Sequence, residues 1–150
     1  MSSWAYLDRG TWPSMPVIRD VRVALPNGSE SIRFTALADT GAEISTLDMR
    51  HQSVARLVDA TKSEIQRLYF PNGQSMEYST VQVRVQIDGV NLGRDVVKFA
   101  LMKSFIIGRD ILNQLDAHFL GPGPTPSRTG TLVLEDFSGA PPRPAMDSGR

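Results

Sequence analysis

Residues 34–47 read F-T-A-L-A-D-T-G-A-E-I-S-T-L. A strand-like run ends at Ala38, Asp39-Thr40-Gly41-Ala42 follows, and apolar character resumes at Ile44 and Leu47. A carboxylate therefore sits at the mouth of a turn between two segments that expect burial. Desolvating it costs on the order of several kcal/mol unless it is paired or shares a proton. Taken alone, the triplet is also an ordinary turn, since Asp, Thr and Gly all favour turns. The flanks separate the two readings, because ordinary turns lie in polar surroundings and this one lies between apolar runs.

A second stretch carries the same kind of signal. Residues 105–115 read F-I-I-G-R-D-I-L-N-Q-L. A short apolar strand stops at Gly108, and a helix opens at Arg109 or Asp110 with Ile111, Leu112 and Leu115 on one apolar face. Asp110 reads in two ways. It could be a partner carboxylate for Asp39, or an acid at a helix N-terminus that satisfies free N–H groups and the dipole; the second reading is preferred.

Together the stretches resemble the retropepsins, the retroviral-type aspartic proteases and their cellular and bacterial relatives. The resemblance rests on Ala38-Asp39-Thr40-Gly41-Ala42 with Ser45 following, and on Ile106-Ile107-Gly108-Arg109-Asp110-Ile111-Leu112 roughly seventy residues later. It spans about Val17 to Phe119 and implies a closed, barrel-like acid-protease fold with its active site on a two-fold dimer axis. Asp39 would be catalytic, with Thr40 bracing the carboxylates across the axis and Gly41 meeting the substrate backbone. Ala42 and Ile106 would line side-chain pockets. Glu43 would face substrate and pair with Arg109, although two solvated charges explain both residues equally well. Gly108, Arg109 and Asp110 would be structural.

Between the motifs, Ile65 to Phe70 and Met76 to Ile87 flank Pro71-Asn72-Gly73-Gln74, a hairpin signal. Val81, Val83, Val85 and Ile87 alternate with Gln82, Arg84, Gln86 and Asp88. By resemblance this hairpin is the flap, with Asn72 and Gly73 over the substrate; otherwise it is a plain exposed hairpin. Retroviral flaps are glycine-rich at the tip, whereas Gly73 stands alone here.

The remaining chain reads as short strands. Val17 to Leu25 and Ile32 to Ala38 form a first hairpin around Pro26-Asn27-Gly28-Ser29, and Val96 to Met102 is a further strand. Ala117 to Leu120 and Thr131 to Glu135 are the last strand candidates. Over residues 48–59, Met49, Val54, Leu57 and Val58 have loosely helical spacing and predict a short helix. Many short strands with one convincing helix, short and near the C-terminal end, make a mostly β domain. The expected organisation is an N-terminal arm over 1–15 containing Trp4, Tyr6 and Trp12, a domain over 16–136, and a disordered tail over 137–150. The arm and Thr131 to Glu135 are the segments that would interleave into a dimer sheet.

The chain has 150 residues, which suits one domain with a modest core. Lys plus Arg and Asp plus Glu both number 16, so charge makes no case for nucleic acid or a membrane surface. The absence of cysteine removes disulfides, thiolate metal sites and a thiol nucleophile. His51 and His118 are isolated, and no metal or organic cofactor is expected. The first fifteen residues lack a signal-type apolar core, and no apolar run is long enough to span a bilayer, so a cytoplasmic location is expected.

With one suitable Asp per chain, a shared-proton mechanism requires Asp39 from each of two copies. The expected function is an aspartic endopeptidase, active as a homodimer on a peptide or protein substrate. The alternative is a non-catalytic module of the same fold that dimerises or binds peptides, and an unrelated small β domain is the third reading.

Overall fold

The computed structural model describes residues 1–8, 14–124 and 129–139. Trp12 and the tail beyond Gly139 lie outside the described residues. Ten strands and two helices are present among those described: β1 (Ser2–Ala5), β2 (Val17–Ala24), β3 (Ser31–Ala38), β4 (Thr46–Asp48), α1 (Gln52–Asp59), β5 (Glu64–Tyr69), β6 (Ser75–Gln86), β7 (Val96–Met102), β8 (Ile106–Ile107), α2 (Arg109–Leu112), β9 (Leu115–Leu120) and β10 (Thr131–Asp136). The chain is mostly β, as its alternating segments predict.

The larger sheet runs β2-β3-β8-β4-β7-β6-β5, and β2 also pairs with β6. The pairings thus form a circuit that returns to β2, with β5 hanging from β6 outside it. These strands supply most of the core, and Tyr6, Leu132 and Leu134 join it. Val21, Val23, Ala36, Val81, Val83 and Phe99 are all essentially buried, together with Ile107 and Ile111. The alternation in β6 is realised as expected: Val81, Val83, Val85 and Ile87 are buried while Gln82, Arg84 and Gln86 are exposed. Each fully buried aliphatic side chain contributes roughly 1.5–3 kcal/mol of transfer free energy. The β2–β3 register shifts between Ile18 and Val21, and Asp20 takes a positive φ of 60° there. A bulge of this kind bends the strand so that both halves keep facing the core.

The short helix read over 48–59 is present as α1, starting four residues later than expected, and it is longer than α2. Its start is set by His51, whose Nδ1 accepts from the Ser53 N–H at 3.3 Å, and Val54 and Leu57 are buried. Leu115 leaves the helix face assigned to it, because α2 ends after Leu112 with Asn113 and Gln114 N–H groups bonded to the Arg109 and Ile111 carbonyls. It opens β9 instead and is still buried.

A smaller sheet has the order β1-β10-β9. The described part of the 1–15 segment is therefore built into the fold. Ser2↔Leu134 and Ala5↔Thr131 frame the β1–β10 register, Tyr6 is buried, and its N–H reaches the Gly130 carbonyl at 2.9 Å. The two terminal segments considered for interleaving pair with each other within one chain. No helix among the described residues is long and apolar enough to cross a membrane.

Candidate active site

Strand β3 ends at Ala38 and hands the chain to Asp39. This segment is tied at several points to residues more than sixty positions away. The Leu37 N–H donates to the Phe105 carbonyl and the Asp39 N–H to the Ile107 carbonyl, both at 3.0 Å. The Ala42 carbonyl accepts from the Arg109 N–H at 2.8 Å. Gly108 packs so closely that an added Cβ would stand 2.7 Å from the Ala42 oxygen and 2.9 Å from the Ile44 carbonyl atoms. No side chain fits there without moving backbone.

Beneath the loop lies a polar knot. Ser45 is fully buried, and a buried hydroxyl must be bonded. Its Oγ donates to Asp110 Oδ1 at 2.6 Å and accepts from the Gly108 N–H at 3.0 Å. The Ser45 N–H donates to Asp110 Oδ2 at 3.0 Å. Asp110 therefore spends both oxygens on Ser45. Asp110 stands in the first turn of α2 as expected, but the expectation that it bonds the free N–H groups there is corrected: the carboxylate reaches across the fold, and Gly108 caps α2 without any side-chain bond. It is not a partner carboxylate for Asp39 either. Ser45 was visible in the sequence only as a residue of the motif. The signal for its role is a small hydroxyl four residues after Gly41, matched by an acid just past Gly108-Arg109.

Asp39 itself is half-buried. Its Oδ1 accepts from the Gly41 N–H at 2.8 Å, the turn closes with the Ala42 N–H on the Asp39 carbonyl at 3.2 Å, and Oδ2 has no hydrogen-bond partner among the described residues. One oxygen is thus fixed by the loop and the other is not. Thr40, Gly41 and Glu43 are exposed, and Ala42 and Ile106 are half-buried beside the loop. Ile106 reaches it through pairings with Leu37 and Thr46. Arg109 is exposed, and no ion pair between it and Glu43 occurs among the described residues.

Asn72 and Gly73 lie at the tip of the β5–β6 hairpin. The Gly73 N–H donates to the Phe70 carbonyl at 3.0 Å and Phe70 N–H to the Gln74 carbonyl at 2.8 Å. Pro71 supplies the preset φ at the second turn position and Gly73, at φ 85°, the left-handed one. Asn72 Oδ1 accepts from the Gln74 N–H at 3.0 Å. Ile65, Tyr69, Phe70 and Met76 leave this hairpin with exposed apolar side chains. Ile65 and Met76 line a groove of about 560 Å³ together with Met49, Tyr78, Leu101 and Met102.

A mostly β chain whose Asp-Thr-Gly loop is clamped from below by a Gly-Arg-Asp helix start has the make-up of an acid-protease domain. A family model described as retroviral aspartyl protease matches residues 14–119, and the chain belongs to that family. The activity of the family is aspartic proteolysis. A comparison with curated proteins found no match.

Proposed function

We propose that the protein is an aspartic endopeptidase that works as a homodimer on extended peptide segments. The observation that carries this reading is the state of Asp39: one carboxylate oxygen is held by the Gly41 N–H and the other has no partner among the described residues. A second Asp39, brought to about 3 Å by a two-fold axis, would share one proton with it, because two carboxylates that close do not both ionise. The closed circuit of pairings is taken as the barrel of the acid-protease fold.

In the reaction, the ionised carboxylate takes a proton from water as its oxygen bonds to the scissile carbonyl carbon. The protonated carboxylate donates to the carbonyl oxygen. Breakdown of the tetrahedral adduct breaks the C–N bond, with the proton passing to the departing amine. Thr40 would brace the pair across the axis, Gly41 and Glu43 would meet the substrate, and Ala42 and Ile106 would line its side-chain pockets. The β5–β6 hairpin would be the flap, with Asn72 and Gly73 at its tip and the apolar residues Ile65, Tyr69 and Phe70 supplying contact area. Gly108, Arg109 and Asp110 would act structurally, through the loop. A cytoplasmic location is proposed with the same reading.

One observation favours the second reading, a non-catalytic module that dimerises or binds peptides. The hairpin is anchored and apolar, yet it has one glycine at its tip. The test compares wild type with Asp39→Asn on a mixed peptide library from acidic to neutral pH. Loss of at least about a thousandfold in cleavage rate is expected for the variant. Equal cleavage by both proteins overturns the assignment of Asp39. No cleavage by either, with a dimer in sedimentation, leaves the binding module.

A further inference from the structure

The loop over 91–94, helix α2 with the turn after it, and the end of β10 enclose a cavity of about 820 Å³. Ligand sites commonly span about 300–1,000 Å³. Asp39 is not part of its wall.

The polar groups of the wall divide in two. One set is already spent. Asp110 gives both carboxylate oxygens to Ser45. Asp136 accepts from the Asn91 N–H at 2.7 Å on one oxygen and from the Asn91 side-chain amide at 3.0 Å on the other. The Gln114 amide accepts from the Arg94 N–H at 2.7 Å and donates to the Arg94 carbonyl at 3.0 Å. The other set is unspent, and both of its charged members are cations. The guanidinium groups of Arg94 and Arg109 are exposed and make no hydrogen bond or ion pair among the described residues. The N–H groups of Leu92 and Gly93, in the same wall, likewise have no acceptor among the described residues.

A single exposed arginine is ordinary. Two that reach one cavity from different elements, beside acids whose oxygens are bonded elsewhere, leave that cavity short of acceptors. Arginine forks take up carboxylates through paired N–H donors. The apolar part of the wall is Leu92, partly buried against the core, and Phe137, 58% exposed. The two bonds between Gln114 and Arg94 fix the loop against the turn after α2, so the wall is formed before a ligand arrives.

We infer that this cavity binds a peptide segment of a protein partner in which acidic side chains stand next to apolar ones. The carboxylates go to Arg94 and Arg109, and the apolar side chains to Leu92 and Phe137. The site is separate from the Asp39 loop, and the inference stands whether or not that loop cleaves peptides.

Calorimetry on the full chain carrying Asp39→Asn, which keeps the probe from being cut, tests this. The probe is the blocked peptide acetyl-Leu-Asp-Phe-Asp-amide, and the control is its acetyl-Leu-Asn-Phe-Asn-amide analogue. One acidic peptide is expected per chain, bound at least about tenfold tighter than the control. Arg94→Ala should weaken the acidic peptide about tenfold and leave the control unchanged. Arg94→Lys keeps the charge and loses the fork, and should weaken it about threefold. Thermal melting checks the folding of each variant; the bonds from Arg94 to Gln114 are made by its backbone and survive both substitutions. Equal affinity for the two peptides, an acidic peptide indifferent to Arg94→Ala, or no binding at about 1 mM overturns the inference. One peptide per two chains, insensitive to Arg94→Ala, places binding at the Asp39 loop and overturns it as well. Inorganic phosphate that binds as tightly as the acidic peptide shows a plain anion site and overturns the peptide assignment.

Discussion

The Asp39 loop and the 71–74 turn are both short connections with one glycine each and several polar residues, yet they are held differently. The turn is closed by its own neighbours, Phe70, Asn72 and Gln74. The Asp39 loop has local bonds too, from the Gly41 and Ala42 N–H groups to Asp39, but it is also held by Ile107, Gly108, Arg109 and Asp110, from β8 and α2, more than sixty residues further along the sequence. A locally closed turn draws its bonds from its own neighbours and needs no distant segment to complete them. A loop closed at long range holds its carboxylate only when the whole domain is folded. Rigidity at the chemistry and independence at the hairpin are therefore separate properties of this chain.

The sharpest way to break the contrast is at its two glycines. In Gly108→Ala the new methyl meets backbone atoms of Ala42 and Ile44, so a loss of about 3 kcal/mol is expected in urea unfolding. In Gly73→Ala nothing lies within 4 Å, and only the left-handed φ is penalised, at about 1 kcal/mol. Equal losses would mean that the loop is not clamped.

The next largest effect concerns the polar knot. Asp110→Asn keeps one carbonyl oxygen for Ser45 but loses the charge and the second acceptor, and about 2 kcal/mol should be lost in the same assay. A value under about 0.5 kcal/mol would show that Ser45 finds another partner.

The smallest effect lies where the clamped segment leaves β4. A two-point contact from the Arg50 guanidinium, with both bonds at 3.0 Å, holds the Asp48 carboxyl below its ordinary 3.8. Arg50 also reaches the Lys103 carbonyl at 2.5 Å. Because the folded value is depressed, the stabilisation is complete above the ordinary value and is lost as pH falls from about 3.8 through the lowered one. Urea midpoints measured from pH 5 down to 2 should fall less steeply for Arg50→Gln than for wild type. Parallel curves would remove Asp48 from the acid limb.

Much of this architecture was legible where a pattern repeats over several residues. The hairpin of β2 and β3, the alternation along β6 and the Asn-Gly turn between β5 and β6 all follow from period-two burial and turn chemistry. Strand β4 was not legible, because three residues cannot display a period. Neither was β1: Ser2, Ser3, Trp4 and Ala5 show no apolar alternation, and the strand exists because β10 offers it an edge. Within the site, Asp39 and its turn were readable from their apolar flanks. The bond from Asp110 to Ser45 was not, since local rules favoured the helix terminus and the true partner stands 65 residues away. His51 read as an isolated histidine. It caps α1 and lies edge-on to Phe105, with ring centres 5.7 Å apart, a role set partly by a tertiary neighbour.

The long reach of the Ser45–Asp110 bond has a consequence for the order of folding. Closing a loop of this size costs entropy before any contact repays it, so such pairings form late. Ser45 and Asp110 belong to segments made far apart in synthesis, and the bulk of the larger sheet lies between them. The segment bearing Asp39 therefore acquires its shape near the end of folding, after the hairpins that need only their neighbours. A half-folded or nascent chain carries the carboxylate without its geometry.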